Sequence, residues 1–297
     1  MPPTVNKLIY DEVACGTKAL VNNPYGKKKT TSKISGKAER NHGQPTLKIS
    51  VITAVYNREA TVADAIKSVA SQNCPDLEHV VIDGMSSDGT SEIVDSNRDT
   101  IDVSIREADS GIYDALNKGI AASSGDVVGF LHADDLFSDD SVIQRVQEKF
   151  QSGDYDAVYA DLIYVDSEDP DRVIRYWESG EYFISKFRYG WMPPHPTVYV
   201  KREIYEKFGN YRIDHGSAAD YECMVRLMFR HQISVGYIPE VAVKMRVGGE
   251  SNASIKNRVS ANSADRAAWV ENGLKPPFGL RFTKPFRKIP QFFRRQN

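Results

Sequence analysis

Apolar residues in the first half of the chain come in short blocks, and the spacing within each block predicts the element it forms. Lys48-Ile49-Ser50-Val51-Ile52-Thr53-Ala54-Val55 is a β-rich run that ends in a polar turn, Tyr56-Asn57-Arg58. Thr61 is suited to cap a helix reaching about Ser71, with Val62, Ile66, Val69 and Ala70 along one side. His79-Val80-Val81-Ile82-Asp83 predicts a second buried strand, and the turn Gly84 to Thr90 leads into a short helix. A third strand at 101–106, a helix at 112–122 and a fourth strand at 126–131 continue the alternation. Strands and helices alternating at this spacing predict an α/β domain with a mainly parallel sheet.

Beyond residue 135 the pattern is less regular. A helix at 139–151 and a strand at 157–165 are followed by Trp191-Met192-Pro193-Pro194-His195-Pro196, a loop stiffened by its prolines. Helices are expected at 202–208 and 219–230, one or two strands at 233–246, and a long terminal helix at 252–272. Residues 1–46 are rich in Lys, Gly, Thr, Ser and Asn and read as a flexible basic extension. The organisation expected is thus a 1–46 extension, a 47–250 body made of a regular part, 47–135, and a less regular part, 136–250, and a 251–297 terminal helix and tail.

Composition narrows the function classes. With 41% hydrophobic and 26% charged residues, the 297-residue chain matches a soluble globular protein. It has no apolar run near the roughly 18–20 residues that span a bilayer. Cys15, Cys74 and Cys223 are scattered and form no zinc or disulfide pattern, which favours a reducing cytoplasm. The net charge of −2 is unevenly spread. Residues 1–48 carry nine Lys/Arg against three Asp/Glu, residues 272–297 carry seven and none, and the remaining body is therefore strongly acidic. An acidic body argues against nucleic-acid binding. Basic ends suit anionic lipid or act as solubilising tails.

Chemistry concentrates where strands end. Asp134-Asp135 follow Val127-Val128-Gly129-Phe130-Leu131, at the sheet edge where open α/β folds bind ligands. Adjacent carboxylates there repel unless a cation lies close, and oxygen ligands favour Mg²⁺ or Mn²⁺; a helix cap or loop acid pair is the competing account. Asp83 ends the second strand, where it can accept from a base or ribose. Asp88 suits a turn and cap. Asp109-Ser110-Gly111-Ile112-Tyr113 enters a helix carrying Asn117 and suits phosphate or sugar contacts, or simply a capped start. Asp220 opens a helix as a dipole-favoured cap, and His195 is held between two prolines as a ligand contact or a packed residue. Neither a G-x-G-x-x-G nor a G-x-x-x-x-G-K-[ST] element follows the first strand, so dinucleotide and P-loop chemistry are disfavoured.

Taken in order, residues 51–57, Val80 to Thr90, Asn117-Lys118-Gly119-Ile120-Ala121 and Gly129 to Asp135 resemble glycosyltransferase family 2, the inverting enzymes of the GT-A (Rossmann-like nucleotide-diphospho-sugar transferase) fold. The block 109–117 is similar to members that build bacterial exopolysaccharide, O-antigen and colanic-acid units. The resemblance spans about 48–250 and implies that 47–250 is the catalytic domain, with 47–135 a nucleotide-sugar half and 136–250 an acceptor half. It implies a donor site around Thr53, Val55, Tyr56, Asn57 and Asp83, with Asp109, Tyr113 and Asn117 on its far wall. It further implies a divalent cation, Mn²⁺ or Mg²⁺, at Asp134 and Asp135, with Asp134 also facing the donor. Asp220 aligns with the general base, and His195 and Arg226 fall on the acceptor side. Two positions depart from the pattern: His132 replaces the first Asp of Asp-x-Asp, and Ala219 replaces the Glu before the base.

The function so implied is inverting transfer of a sugar, with a UDP donor favoured, to a saccharide or lipid-linked saccharide in cell-surface polysaccharide synthesis. A catalytically impaired sugar-nucleotide binder and a sugar nucleotidyltransferase are the alternatives. The tail alternates Phe278, Leu280, Phe282, Phe286, Ile289, Phe292 and Phe293 with Lys and Arg, which suits peripheral attachment to the cytoplasmic face of an anionic membrane. Pro285 and Pro290 interrupt any long helix there.

Overall fold

The computed structural model describes residues 47–248 and 265–278, all within a compact unit spanning 45–297. The expected extension at 1–46 and most of the expected terminal helix and tail lie outside the described residues; helical turns are described at 265–271.

The first half forms as its hydrophobic blocks predict. Strands β1 (Ile49–Val55), β2 (Leu77–Asp83), β3 (Val103–Arg106) and β4 (Val127–Phe130) are connected through helices α1 (Val62–Ala70), α2 (Thr90–Ser96) and α3 (Ile112–Ala122). All four strands are parallel, in the order β3-β2-β1-β4. Strand β1 is buried along its whole length, and alternation still decides which side each residue packs on. Ile52 and Ala54 join Leu116 and Ile120 of α3, whereas Ile49 and Val51 face Val69 of α1 on the other side. Thr61 precedes α1 as expected but makes no side-chain cap bond, and its Oγ1 is buried without a partner among the described residues.

The second half extends the same sheet in mixed sense. It contains β5 (Leu136–Phe137), α4 (Val142–Gln151), β6 (Ala157–Val165), β7 (Val173–Trp177), β8 (Tyr199–Lys201), α5 (Arg202–Phe208), α6 (Ala219–Met224) and β9 (Val235–Arg246). The nine strands run β3-β2-β1-β4-β8-β6-β9-β5, with β7 also on β6. Strand β8 is antiparallel to both β4 and β6 and joins the two halves. Its Tyr199 ring lies over Gly129, where a Cβ would meet a ring carbon at 2.2 Å. Glycine there lets β4 and the aromatic ring pack closely. Helix α6 widens into a π-helix at Val225–Arg230, so the single helix expected at 219–230 changes its hydrogen-bond step midway.

Candidate active site

The carboxyl ends of β2, β1 and β4 lie side by side, and the loops leaving them form one edge of the sheet. The first two loops are sewn together by polar groups. Asn57 adopts φ 49°, a left-handed conformation that Asn tolerates. Its Oδ1 accepts from Ser87 N–H at 2.9 Å, and its own N–H donates to Ser86 Oγ at 3.0 Å. Arg58 N–H donates to Thr90 Oγ1 at 2.8 Å. Asp83 Oδ1 accepts from the N–H and hydroxyl of Ser86, at 2.8 and 2.6 Å, and Oδ2 from Ser91 Oγ at 2.6 Å. Arg106 Nε lies 3.4 Å from the same Oδ2.

These contacts revise the expected donor wall. Asp83 and Asn57 spend their side chains shaping the loops. Thr53 is fully buried, its Oγ1 3.1 Å from His79 Nε2, and Val55 packs with Val62, Ile66 and Val94. Burial removes both side chains from any ligand. Tyr56 is left exposed, as is Met85, whose φ of 67° is unusual for a side-chain-bearing residue.

Asp109 crosses from the β3 side to lie directly over Gly84, where a Cβ would sit 2.3 Å from Asp109 Oδ2. Its Oδ1 accepts from Gly111 N–H at 2.9 Å, while Ser110 N–H donates to Asp114 Oδ2 at 2.9 Å. Asp109 is therefore both loop cover and helix-entry clasp. Asn117, placed with the donor residues by sequence, instead grips the backbone of Tyr211: Nδ2 donates to Tyr211 O at 2.8 Å and Oδ1 accepts from Tyr211 N–H at 2.9 Å. One N–H and one lone pair of its amide are thereby committed to the fold.

That grip seats Tyr211 in an aromatic floor shared by both halves. His195 stacks on Phe130 with centroids 5.4 Å apart, lies 5.8 Å from His132 and 6.3 Å from Tyr113, and its Nε2 is 2.8 Å from Tyr211 Oη. Burial, with His132 beside it, pushes the His195 imidazole down to about 3, so it is neutral and packed. The loop His195 occupies is a short 3-10 turn at His195–Thr197. Asp220, half-buried at the start of α6, lies near Tyr113. Burial, and then the charge of Asp220, hold the Tyr113 phenol well above its usual range. Tyr221 N–H also donates to Asp220 Oδ1, at 2.6 Å.

The acid pair divides. Asp134 keeps a partly exposed carboxylate, 4.0 Å from Arg58 Nε. Asp135 is buried; its Oδ1 accepts from Arg246 N–H at 3.2 Å and its Oδ2 has no partner among the described residues. Burial, then the charge of Asp134, pushes the Asp135 carboxyl well above the usual carboxylate range. Asp135 thus anchors the end of β9 through one oxygen, and Asp134 is the more open carboxylate of the pair. A single open carboxylate still suits Mg²⁺ or Mn²⁺, which take one or two protein carboxylates and complete their shell with phosphate oxygens and water. Arg226, expected near the acceptor, is also reassigned. Its Nε lies 3.0 Å from Glu222 Oε1, and its Nη1 and Nη2 donate to the carbonyls of Phe208, Gly209 and Asn210.

Arg58 and Tyr211 were not singled out by sequence. Arg58 sits inside an ordinary turn, and Tyr211 is 94 positions from the Asn117 side chain that seats it. The one group of three His and carboxylate ligand atoms found among the described residues is Asp214, His215 and Glu271. It already forms an ion-pair set with Arg212, with His215 Nε2 2.7 Å from Glu271 Oε2. A surface hollow lined by Ile120, Arg202, Tyr205 and Asn210 opens at the amino end of β4, where Arg202 Nε donates to Gly125 O. It faces away from the strand-end site.

The glycosyl transferase family 2 model matches residues 50–228. A PGL/p-HBAD biosynthesis glycosyltransferase of Mycobacterium tuberculosis is 25% identical over 211 residues, covering 69% of this chain and 80% of that protein. An uncharacterized glycosyltransferase of M. tuberculosis is 32% identical over 184 residues, covering 60% and 68%. Among solved structures, S. aureus TarS 1-349 in complex with UDP-GlcNAc superposes with TM-score 0.60 at 16% identity, over 83% of this chain and 78% of that one. The Pyrobaculum calidifontis mannosyltransferase PcManGT, in complex with GDP-Man and Mn²⁺, superposes with TM-score 0.58 at 18% identity, over 82% and 70%.

Proposed function

The chain belongs to glycosyl transferase family 2, and on that premise we propose that it transfers a sugar from a nucleotide-sugar, with inversion, to a saccharide or lipid-linked saccharide acceptor. The observation that carries this reading is the partly exposed Asp134 beside Arg58, in the loop leaving β4, together with the half-buried Asp220 at the start of α6 near Tyr113 of the aromatic floor. One carboxylate belongs to each half of the sheet. Asp220 takes the proton of an acceptor hydroxyl as that oxygen attacks the anomeric carbon. The donor's diphosphate leaves from the opposite face, so a single displacement inverts the configuration. Arg58 lies where it can meet a diphosphate once Asp134 is drawn to a cation. A divalent ion, Mn²⁺ or Mg²⁺, held by Asp134 would neutralise the departing charge. The exposed Tyr56 ring and Met85 offer flat apolar contact to a nucleobase.

UDP is favoured as the carrier, supported by the likeness to TarS with UDP-GlcNAc; PcManGT with GDP-Man keeps GDP in the test. The basic aromatic segment 278–297 would hold the enzyme on an anionic cytoplasmic membrane face beside a lipid-linked acceptor. No helix among the described residues is long and apolar enough to cross a membrane. His132, an imidazole where the family pattern has a carboxylate, favours a second reading, a sugar-nucleotide binder with impaired transfer.

A thermal-shift panel of UDP-, GDP- and TDP-sugars with Mn²⁺ or EDTA, followed by a transfer assay of Asp220→Asn, separates the two. Transfer is expected to fall by about 10²–10⁴-fold in Asp220→Asn, with the donor-induced shift retained. Unimpaired transfer by this variant would overturn the base assignment, and donor binding without transfer by the wild type would favour the binder.

A further inference from the structure

We propose that Arg246, the last residue of β9, is the positioning residue for the cation-holding carboxylate: its guanidinium grips the backbone of Asp134 and fixes where the open carboxylate of that residue points. The inference rests on the reading of Asp134 as the carboxylate that holds Mn²⁺ or Mg²⁺, and it names the group that aims it.

Three observations carry it. First, Arg246 holds both members of the acid pair. Its Nη1 donates to Asp134 O at 3.1 Å, and its backbone N–H donates to Asp135 Oδ1 at 3.2 Å. Within the turn itself, Asp135 N–H donates to His132 O at 3.0 Å. The Asp134 side chain therefore leaves a backbone that is tied on both sides, and only its own χ angles are free to adjust to an ion.

Second, the guanidinium is itself fixed. Its Nη2 donates to Asp64 Oδ2 at 2.9 Å, in the first turn of α1. The arginine side chain is 7% exposed and that of the aspartate 51%. One buried side chain thus ties α1, the loop leaving β4 and the end of β9 together. A planar guanidinium held on two of its arms has a defined orientation, which a single flexible ammonium would lack.

Third, stability alone does not account for an arginine here. Taking a guanidinium out of water is costly, and an apolar side chain of similar volume often serves a buried position as well or better. The Arg246 Nε is buried with no partner among the described residues, so the group is not even fully satisfied. What it does satisfy is the carbonyl of the residue whose carboxylate stays open, 4.0 Å from Arg58 Nε. Arg246 approaches Asp134 from the backbone side and Arg58 from the carboxylate side.

In this role Arg246 touches neither the sugar nor the diphosphate, and its effect appears through Asp134. The test is made on the full chain. Free Mn²⁺ is counted by electron paramagnetic resonance as the metal is titrated into protein saturated with UDP or GDP, whichever raises the melting temperature. Nucleotide affinity in EDTA and melting temperature are measured alongside. Arg246→Met keeps much of the bulk of the stem and removes the donors.

Arg246→Met is expected to weaken Mn²⁺ binding by about 10–100-fold, the usual cost of removing a group that orients a metal ligand, with nucleotide affinity in EDTA close to wild type. Arg246→Lys, which keeps a charged donor, should recover part of the loss. Wild-type Mn²⁺ affinity in Arg246→Met, beside a loss in Asp134→Asn, would overturn the proposal and leave Asp134 as the cation carboxylate. Weakened nucleotide binding in EDTA would make Arg246 a direct contact of the diphosphate and would overturn it as well. Wild-type Mn²⁺ affinity in Asp134→Asn, or no Mn²⁺ uptake by the wild type, would overturn the cation reading and the proposal with it. Val243→Ala, at another fully buried position of β9, is the control for general loosening. As large a loss of Mn²⁺ affinity there, at matched melting temperature, would count against the proposal. Should Arg246→Met fail to fold, Asp64→Ala is the second variant, since it frees the far arm of the guanidinium from a half-exposed position; unchanged Mn²⁺ affinity in that variant would overturn the proposal.

Discussion

At the residue scale, the site is built from side chains whose partners decide whether they face a ligand or the fold. Arg226 shows the distinction. It is nearly fully buried, pairs with the buried Glu222 at 3.0 Å and feeds three carbonyls of the 208–210 loop. Removing Arg226 leaves Glu222 with only the partly exposed Arg212, at 3.4 Å, and the Asn272 amide, and strands the three carbonyls, at a cost of up to about 3–5 kcal/mol. Arg226→Met is therefore expected to lower the urea midpoint by a corresponding amount. Glu222→Met in the same chain should recover part of the loss, and the donor-induced thermal shift should be unchanged in whatever fraction stays folded. Loss of acceptor binding at unchanged stability would instead restore the acceptor role. Sequence put Arg226 on the acceptor side; what it cannot supply is Phe208, Gly209 and Asn210 waiting for the guanidinium. The same holds at Asn117 and Asp83, whose partners Tyr211 and Ser91 are set by tertiary approach and turn geometry. The strand-end carboxylates were legible because a strand's end can be read from where its apolar run stops.

At the element scale, α3 carries the most consequence for its length. Its entry depends on Gly111, at φ 126° and ψ 172°, a conformation that residues with a Cβ adopt only with strain of about 1–3 kcal/mol. A Cβ there would meet nothing within 4 Å, so Gly111→Ala isolates backbone strain from crowding. We expect a melting temperature lower by about 2–4 °C for each kcal/mol lost, and a fall in kcat beyond what the remaining folded fraction explains, because the Gly111 N–H is the donor that holds Asp109 over the Gly84 loop. Wild-type kcat in a destabilised Gly111→Ala would separate the helix entry from catalysis. Most elements of this kind were legible: α3, β6 and α5 fall where the apolar spacing predicts them. Strands β5, β7 and β8 were not. Two of them span only two or three residues and exist through pairing with distant strands, as with Leu136 on Lys244. Strand β7 is partly exposed and pairs only along the edge of β6, so neither alternation nor burial marks it in the sequence.

At the scale of the whole molecule, both faces of the sheet hold neutral imidazoles, and their protonation sets an acid limit on the fold. Burial pushes His79 down to about 4 and, with His132 beside it, His195 to about 3. In the unfolded chain both titrate near 6.5. Below that pH the unfolded state takes up protons that the native state refuses, so stability falls with falling pH. The loss starts near 6.5, at a limiting slope of about 1.4 kcal/mol per pH unit for each histidine, and ends for each where its folded value is reached. Glu78, lowered to about 2 through hydrogen bonds from Ser124, Ser50 and Lys48 that outweigh its burial, adds a loss below about 4.5. Asp135 works in the opposite sense: its raised carboxyl is costly when ionised, so protonation relieves the fold as the pH drops. Burial lowers His132 as well, so three histidines outweigh one carboxyl between about 6.5 and 4, and denaturation midpoints measured across that range should fall steadily. His79→Gln, which keeps a polar partner for Thr53 without an ionisable ring, should flatten the slope by about a third. A midpoint independent of pH over that range would mean that the rings open to water before they charge, and that the aromatic floor beneath Asp220 is looser than its packing implies.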